Sequence, residues 1–270
     1  LARLLEPELY GSVALVLVIT SILQVFVDSG MATALIQKKD TDDLDFSSVF
    51  YFNLAFCLLL YTGLFLAAPL LSRAYGDSSL VPVIRVLGLT IVVSGVKNVQ
   101  QAYVSKTMQF RRFFFATLGG TIFSAAVGIS MAYLGYGIWA LVMQQLLNAA
   151  VNTAILWLTV GWKPRRCFSL RRLKVLVAYG WKILVSALLD TAYLKLYQLV
   201  VGLKYTSADL AFYNKGDQYP NLLVENINSS IDSVLLPVLS AEQDEREQVR
   251  EMTRRAVKTS TYLMFPMMAG

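Results

Sequence analysis

The chain has 270 residues, of which 56% are hydrophobic and 16% charged, and its formal net charge is +6. That apolar content exceeds the roughly 45–50% of a typical soluble domain, and apolar runs near the ~20 residues needed to cross a bilayer recur along it. Since no histidine is present, the commonest acid–base group and zinc ligand are excluded. We therefore predict an all-α, polytopic integral membrane protein built as a helix bundle.

The apolar runs predict six full spans, at about residues 12–36, 48–71, 81–104, 113–134, 138–160 and 175–203. A seventh, more polar helix is predicted over 213–236, and an eighth apolar run begins near Thr259. Gly119 and Gly120 should allow close helix approach in the fourth span, and the Gly-Tyr-Gly sequence at 135–137 should form a tight turn.

Polar links separate these spans. The longest basic link is GWKPRRCFSLRRLK, and residues 242–258 are predicted to form a short helix near the membrane surface, with Ser240 and Gln243 as a capping box. The two cysteines, Cys57 and Cys167, lie in an apolar run and a basic link, so neither a disulfide nor a cysteine metal site is predicted.

Basic residues are concentrated in alternate links. The links after the first, third, fifth and seventh spans hold nearly all of those outside the spans, whereas the opposite side has only Arg3, Arg73 and Lys204. Basic residues mark the cytoplasmic side, so these alternate links are predicted to be cytoplasmic. The net positive charge is thus explained by the orientation of the protein in the membrane, and it should attract anionic lipid to some extent. No nucleic-acid partner is predicted.

The seventh helix carries a polar stripe. Five acidic or amide residues fall within roughly 80° of one another on a helical plot; they are Asp217, Asn221, Glu225, Asn228 and Asp232. Three carboxylates facing lipid would cost on the order of 8–10 kcal/mol on insertion scales. We therefore expect the stripe to face a hydrated interior rather than acyl chains.

Other charges within spans are candidates to line the same interior, namely Lys182, Asp190 and Lys195 on the sixth span and Arg85 and Lys97 on the third. Structural explanations stay open for several of them. Asp190 and Lys195 would neutralise each other as a pair, Arg85 and Asp217 would snorkel to the interface, and Asp28 would brace the helix around Gly30.

A faint internal repeat relates LARLLEPELYG, before the first span, to VGLKYTSADLAFYNKG, before the seventh. Two similar bundles would explain it, because transporters are often built from such repeats with the substrate site between them. We predict a first bundle over 1–160, a basic cytoplasmic linker over 161–174 and the start of a second bundle over 175–270. The chain opens on Leu1 and stops inside an apolar run, which we interpret as a piece of a longer protein.

Four segments resemble a known family: FVDSGMATALIQKKD, YGWKILVSALLDT, YNKGDQYPNLLVENINSSIDSVLLPVLS and FPMMAG. They are similar to the polysaccharide-transport branch of the multidrug/oligosaccharidyl-lipid/polysaccharide exporter superfamily, and especially to Wzx-type flippases of lipid-linked sugar repeats. The resemblance implies a fragment of a two-lobed, fourteen-helix transporter in the bacterial inner membrane. It implies a lipid-linked oligosaccharide as substrate, with undecaprenyl pyrophosphate as the carrier, and other polysaccharide assembly proteins as partners.

The family has no strict catalytic signature, so we predict no catalytic residue, no metal and no cofactor beyond coupling to a proton or sodium gradient. Charge placement suggests Lys97, Lys182 and Lys195 for the pyrophosphate, since lysine acts as a point charge on phosphate. Asp28, Asp190 and Glu225 are suggested for ion coupling or gating. The alternatives are a multidrug exporter of the same superfamily and a membrane-embedded polymerase or ligase, which would need a sizeable outer loop.

Overall fold

The computed structural model describes the backbone of residues 6–28, 30–241 and 246–269. Side chains at positions 7, 28, 207, 217–230, 241, 246, 263 and 266–269 lie outside this description. The described chain forms α-helices joined by short links. The helices are α1 (Pro7–Asp28), α2 (Met31–Gln37), α3 (Asp43–Ala74), α4 (Leu80–Lys106), α5 (Phe110–Tyr133), α6 (Ile138–Thr159), α7 (Leu170–Lys204), α8 (Ser207–Ala241) and α9 (Arg246–Ala269).

Six of the segments are long and apolar enough to cross a membrane: α1 together with α2, then α3, α4, α5, α6 and α7. They coincide with the six predicted spans, so the prediction of an all-α, polytopic membrane protein is confirmed. In α8 the described side chains include a shorter apolar stretch, Ile231–Ser240. Because residues 217–230 are outside the side-chain description, a membrane crossing by α8 stays a prediction.

Three predicted boundaries differ from the structure. The first span is divided, since α1 ends at Asp28 and Gly30 precedes the short helix α2. Helix α7 begins at Leu170, so the last five residues of the predicted linker 161–174 are helical. The predicted surface helix and the eighth apolar run form one helix, α9, and Ser240 lies inside α8, where its hydroxyl donates to the Leu236 carbonyl at 2.8 Å instead of capping α9.

Contacts between distant residues place alternate links at the same end of the bundle. At one end, the backbone N–H of Arg165 donates to the Ser47 hydroxyl at 3.0 Å, and the Lys106 ammonium donates to the Leu35 carbonyl at 3.2 Å. At the other end, the Lys215 ammonium lies 5.2 Å from the centre of the Tyr10 ring. We call the first of these the basic end and the second the opposite end.

Glycines allow α5 and α6 to approach closely. A Cβ atom on Gly120 would lie 3.1 Å from the Asn148 carbonyl oxygen, and one on Gly119 would lie 2.5 Å from Ile155 Cδ1. Small residues let helix backbones meet in the membrane, where no hydrophobic effect drives them together. The predicted role of this glycine pair is therefore confirmed. The predicted tight turn is also present, because Gly135 and Gly137 have φ values of +80° and +53°, a region that favours glycine.

Two apolar clusters form the interior, one near each end. The cluster at the basic end joins α2, α3 and α4 to residues that follow α6, including Trp162, Leu173 and Leu176. The other cluster joins α1, α3, α4 and α6. Since Leu173 and Leu176 belong to α7, the first helix after the basic link is packed into the core of the preceding helices.

Helices α7 and α8 both pack along α1. A Cβ atom on Gly202 of α7 would lie only 2.2 Å from Leu15 Cδ2, which shows how tightly these helices approach near the opposite end. At the basic end α7 also contacts α2 and α3. The interface between α1 and the pair α7–α8 therefore runs most of the length of the bundle.

Candidate functional site

The link after α6 is fixed to the bundle rather than hanging free. We call residues 160–169 the connecting strap. Its Trp162 side chain is only 6% exposed and lies between the rings of Phe46, Phe50 and Tyr103, with ring centres 5.7 to 6.5 Å apart. Aromatic pairs at such separations contribute beyond the area they bury. Trp162 thus anchors the strap in the core at the basic end.

Side chains of α3 and α4 also form hydrogen bonds with the strap backbone. The Gln100 amide, fully buried in α4, donates to the Trp162 carbonyl at 3.0 Å. The Ser47 hydroxyl accepts from the Arg165 N–H at 3.0 Å, and the Ser48 hydroxyl accepts from the Ser169 N–H at 2.9 Å. Because buried backbone groups are costly when unpaired, these contacts hold the strap in one path.

Acidic and basic side chains meet where the strap enters α7. The Asp45 carboxylate, fully buried, lies 2.5 Å from the Lys38 ammonium and 3.6 Å from the Arg172 guanidinium. Arg172 also contacts Asp42, and Arg165 lies 2.8 Å from Asp43. We call these six residues the basic-end cluster: Lys38, Asp42, Asp43, Asp45, Arg165 and Arg172. Its three carboxylates balance its three basic groups.

The carboxylates of this cluster also begin α3. Asp42 is the N-cap residue, its side chain accepts from the Asp45 N–H at 3.0 Å, and the Asp45 side chain accepts from the Asp42 N–H at 3.4 Å. Burial tends to raise the pKa of Asp42, but the hydrogen bond from Asp45 and the contact with Arg172 outweigh it and hold this pKa below the usual 3.8. The N-terminus of α3 therefore keeps Asp42 ionised and facing Arg172.

Lys195 is the predicted site residue that the fold brings to the α1–α7 interface. It is half-buried and, on a helical plot, lies within about 60° of Gln198 and Gly202. Gln198 is 7% exposed, and Gly202 is the residue that meets Leu15 of α1. An ammonium and an amide thus share the face of α7 that packs on α1.

Lys182 and Asp190, the other charged candidates on α7, are exposed in the described structure. Asp190 and Lys195 are about 140° apart around the helix, and they form no ion pair with each other. The explanation that these two residues neutralise each other is therefore wrong for the chain as described. The described structure does not bring Lys182 or Asp190 to Lys195. Their place in the site therefore stays a prediction.

Lys97 lies in α4, beside a buried amide that the sequence analysis did not select. Lys97 is half-buried, and the neighbouring Asn98 is 3% exposed and donates its side-chain N–H to the Val27 carbonyl at 2.8 Å. Val27 lies one residue before the end of α1 at Asp28. Asn98 thus ties α4 to the end of α1, next to Lys97.

The remaining candidates are only partly described. Asp232 is exposed on α8. The side chains of Asp28, Asp217, Asn221, Glu225 and Asn228 lie outside the described residues. Arg85, by contrast, lies over the Phe65 ring of α3, 4.1 Å from its centre. This described contact joins Arg85 to α3 and not to another candidate residue.

The basic-end cluster was also missed as a site, although the sequence carried a signal for it. The link KKDTDDLD is rich in acidic residues, GWKPRRCFSLRRLK is rich in basic ones, and both were predicted on the same side. Opposite charges on one side of a bundle attract over short distances. The pairing itself comes from the fold, which brings Arg172 to Asp42 and Asp45 and brings Arg165 to Asp43.

Comparison with known proteins extends these observations. The chain matches the polysaccharide biosynthesis protein family over residues 1–270. It is 26% identical over 270 residues to the succinoglycan biosynthesis transport protein ExoT of Rhizobium meliloti (strain 1021), covering 100% of this chain and 55% of that protein. It is 22% identical over 253 residues to the teichuronic acid biosynthesis protein TuaB of Bacillus subtilis (strain 168), covering 93% and 52% of the two chains.

A third relative is the lipopolysaccharide biosynthesis protein WzxC of Escherichia coli (strain K12), 23% identical over 278 residues, with 100% of this chain and 55% of that protein covered. The chain thus spans about half the length of the curated relatives it matches. No solved structure matches it significantly. Because the family match covers every residue, this chain belongs to the polysaccharide biosynthesis protein family.

Proposed function

We propose that the protein containing this chain is a flippase, which moves an oligosaccharide linked to undecaprenyl pyrophosphate across the bacterial inner membrane. The observation that carries the proposal is the family match over the whole of a multi-pass membrane chain whose relatives include a named biosynthesis transport protein. In this proposal the basic end of the bundle faces the cytoplasm, because basic residues are concentrated in the cytoplasmic links of membrane proteins.

The α1–α7 interface supports this function chemically. A lipid-linked sugar presents a doubly charged pyrophosphate and many hydroxyls, which call for ammonium and amide groups. Lys195 and Gln198 supply both on the α7 face toward α1, and Lys97 lies beside the Asn98 bridge to the same helix. We assign Lys97, Lys182 and Lys195 to the pyrophosphate and the α8 stripe to the sugar, with a carboxylate among Asp28, Asp190 and Glu225 for ion coupling.

A polymerase or ligase is less well supported. Such an enzyme would need a sizeable catalytic loop on the outer side, but the described links at the opposite end are the short ranges 75–79, 134–137 and 205–206. The relative ExoT is moreover named as a transport protein. We therefore propose a protein that moves its substrate without covalent chemistry.

The experiment that tests this function is a deletion of the full-length gene in its host, followed by assay of lipid-linked intermediates in each leaflet. We expect the intermediates to accumulate in the inner leaflet, and we expect the wild-type gene to restore export. Lys195→Gln and Lys97→Gln should restore it poorly. Arg111→Gln is the matched control, because Arg111 is an exposed basic residue on α5 that lies over Phe115.

Two results would contradict the proposal. Normal leaflet distribution in the deletion strain would exclude a flippase of this substrate. Unchanged surface polysaccharide with altered drug tolerance would favour a multidrug exporter of the same superfamily. Equal restoration by Lys195→Gln and Arg111→Gln would leave the transport function standing but remove Lys195 from the substrate site.

A further inference from the structure

The start of α7 lacks the stabilising groups that a helix N-terminus normally carries. Its first turn has no acidic residue, and it brings Arg171 and Arg172 to the positive end of the helix dipole. The N-cap residue, Ser169, makes no side-chain capping bond. Basic residues at this end of a helix weaken it, so α7 depends on other elements to hold its first turn.

Helix α3 supplies the missing anions. Asp42 and Asp45 both contact Arg172, and Asp45 is fully buried while Arg172 is 40% exposed. A buried carboxylate is stable only when it is paired, so Lys38 and Arg172 stabilise the Asp45 charge. The carboxylates in turn stabilise the basic first turn of α7. The two helix N-termini are thus joined by one shared set of charges.

The contact lies where the predicted halves of the protein meet. Asp42 and Asp45 begin α3, in the predicted first bundle, whereas Arg172 begins the first helix of the predicted second bundle. The strap between them is tied to the same two turns of α3 through Ser47 and Ser48. Any separation of α7 from α2 and α3 at this end must first break the basic-end cluster.

We propose that the basic-end cluster is a releasable latch, in which Asp45, held by Lys38 and Arg172, fastens the strap and the first turn of α7 to α3 and so closes the basic end of the interface between the two halves. The inference rests on the proposed transport function, since a flippase must open toward the side from which its substrate comes. Its first test, however, needs no transport assay.

Cys167 is a natural reporter of the latch. It lies within the strap, between the two backbone groups that Ser47 and Ser48 bind, and it is only partly exposed. The other thiol, Cys57, is buried in α3. The reaction of Cys167 with a membrane-impermeant maleimide, located by peptide mass, therefore measures how often the strap leaves α3.

The experiment uses the full-length protein in membranes. In Arg172→Gln we expect Cys167 to react about tenfold faster than in the wild type, and tenfold corresponds to about 1.4 kcal/mol. Asp45→Asn should act in the same direction, and amide hydrogen exchange should accelerate in the first turns of α7. Arg171→Gln is the matched control, because it removes the same charge from an exposed neighbouring position.

Because Arg172 is partly exposed, we expect Arg172→Gln to fold. It can therefore test the latch even if Asp45→Asn does not fold. Wild-type rates in a folded Arg172→Gln protein, or equal effects of Arg171→Gln and Arg172→Gln, would overturn the latch. Its role in opening is tested by a disulfide between Ser47→Cys and Arg165→Cys in a Cys167→Ser background. We expect the disulfide to stop export and a reductant to restore it.

The two proposals fail in different ways. Undiminished export by the disulfide-locked protein would refute the gating role while leaving the flippase function intact. If the wild-type gene moves no lipid-linked oligosaccharide, the transport function fails, and the labelling rates still decide whether the cluster holds the strap.

Discussion

Gly30 and Gly180 meet backbone to backbone: a Cβ atom built on Gly180 would lie 2.7 Å from the Gly30 carbonyl oxygen. The reverse distance, from a Cβ atom on Gly30 to the Gly180 carbonyl oxygen, is 2.8 Å. Gly30 precedes α2 and Gly180 lies in the third turn of α7, so this contact joins the backbones of the two predicted halves. Backbone atoms cannot rotate away as a flexible side chain can.

Gly180→Ala should therefore weaken the contact between α2 and α7. The gain from helix propensity is about 1 kcal/mol, whereas overpacking against a backbone costs about 1–3 kcal/mol, so we expect a net loss of stability. Thermal unfolding of the purified full-length protein measures it. Gly63→Ala in α3 is the control, because a Cβ atom there would have no atom within 4 Å apart from its chain neighbours and the adjacent backbone of its own helix, and it should be neutral or stabilising.

Trp162 should be the main anchor of the strap. Truncation of a buried tryptophan costs about 3–5 kcal/mol, so Trp162→Ala should lower the unfolding temperature strongly, and Trp162→Phe should lower it less. Trp181 on α7 is 53% exposed, and Trp181→Ala should have a small effect. Circular dichroism measures the unfolding temperature of each variant. An equal decrease in Trp162→Ala and Trp181→Ala would show that the ring cluster around Trp162 contributes little to stability.

The helices could be predicted from sequence because each span is a long apolar run that is bounded by polar links. Finer features depended on tertiary contacts. The end of α1 at Asp28 and the early start of α7 at Leu170 leave no hydropathy signal. Both lie beside contacts with distant parts of the chain, since the Val27 carbonyl accepts from Asn98 and Arg172 contacts Asp42.

The sequence indicated which kinds of residue to consider for the candidate site, but it did not indicate which of them lie together in the fold. Charge within spans drew attention to Lys195, which shares a face of α7 with the buried Gln198, and its place in a site stays a prediction. The same criterion could not separate Lys195 from Lys182, which is exposed on the same helix. It also passed over the fully buried Asp45, since a carboxylate in a polar link looks solvated until the fold buries it.

Asp42 should make the attachment of α7 sensitive to acid. Burial tends to raise its pKa, but the hydrogen bond from the Asp45 N–H and the charges of Arg172 and Lys38 lower the pKa in the folded protein. A lowered pKa contributes stability that is present above the unfolded value of 3.8 and is lost as the pH falls through the folded value.

We therefore expect the difference in thermal stability between wild type and Asp42→Asn to shrink as the pH falls toward and below 3.8. Asparagine still caps a helix, so this variant removes the charge and keeps the cap. The effect should be modest, because Asp42 is about half exposed. A difference that stays constant between pH 6 and pH 3 would show that the Asp42 charge does not stabilise the fold.

Asn98 should stabilise the break between α1 and α2. Its side-chain N–H donates to the Val27 carbonyl at 2.8 Å, and Asn98→Leu would leave that buried carbonyl without this donor. Hydrogen bonds between membrane helices are worth about 0.6–1.7 kcal/mol, so we expect a loss of this size in thermal unfolding of the full-length protein. Gln145→Leu makes a comparable replacement at an exposed position of α6 and should cost little. Equal effects of the two leucine variants would show that loss of an amide, wherever it lies, explains the result, and would leave the Asn98–Val27 contact without a measurable contribution.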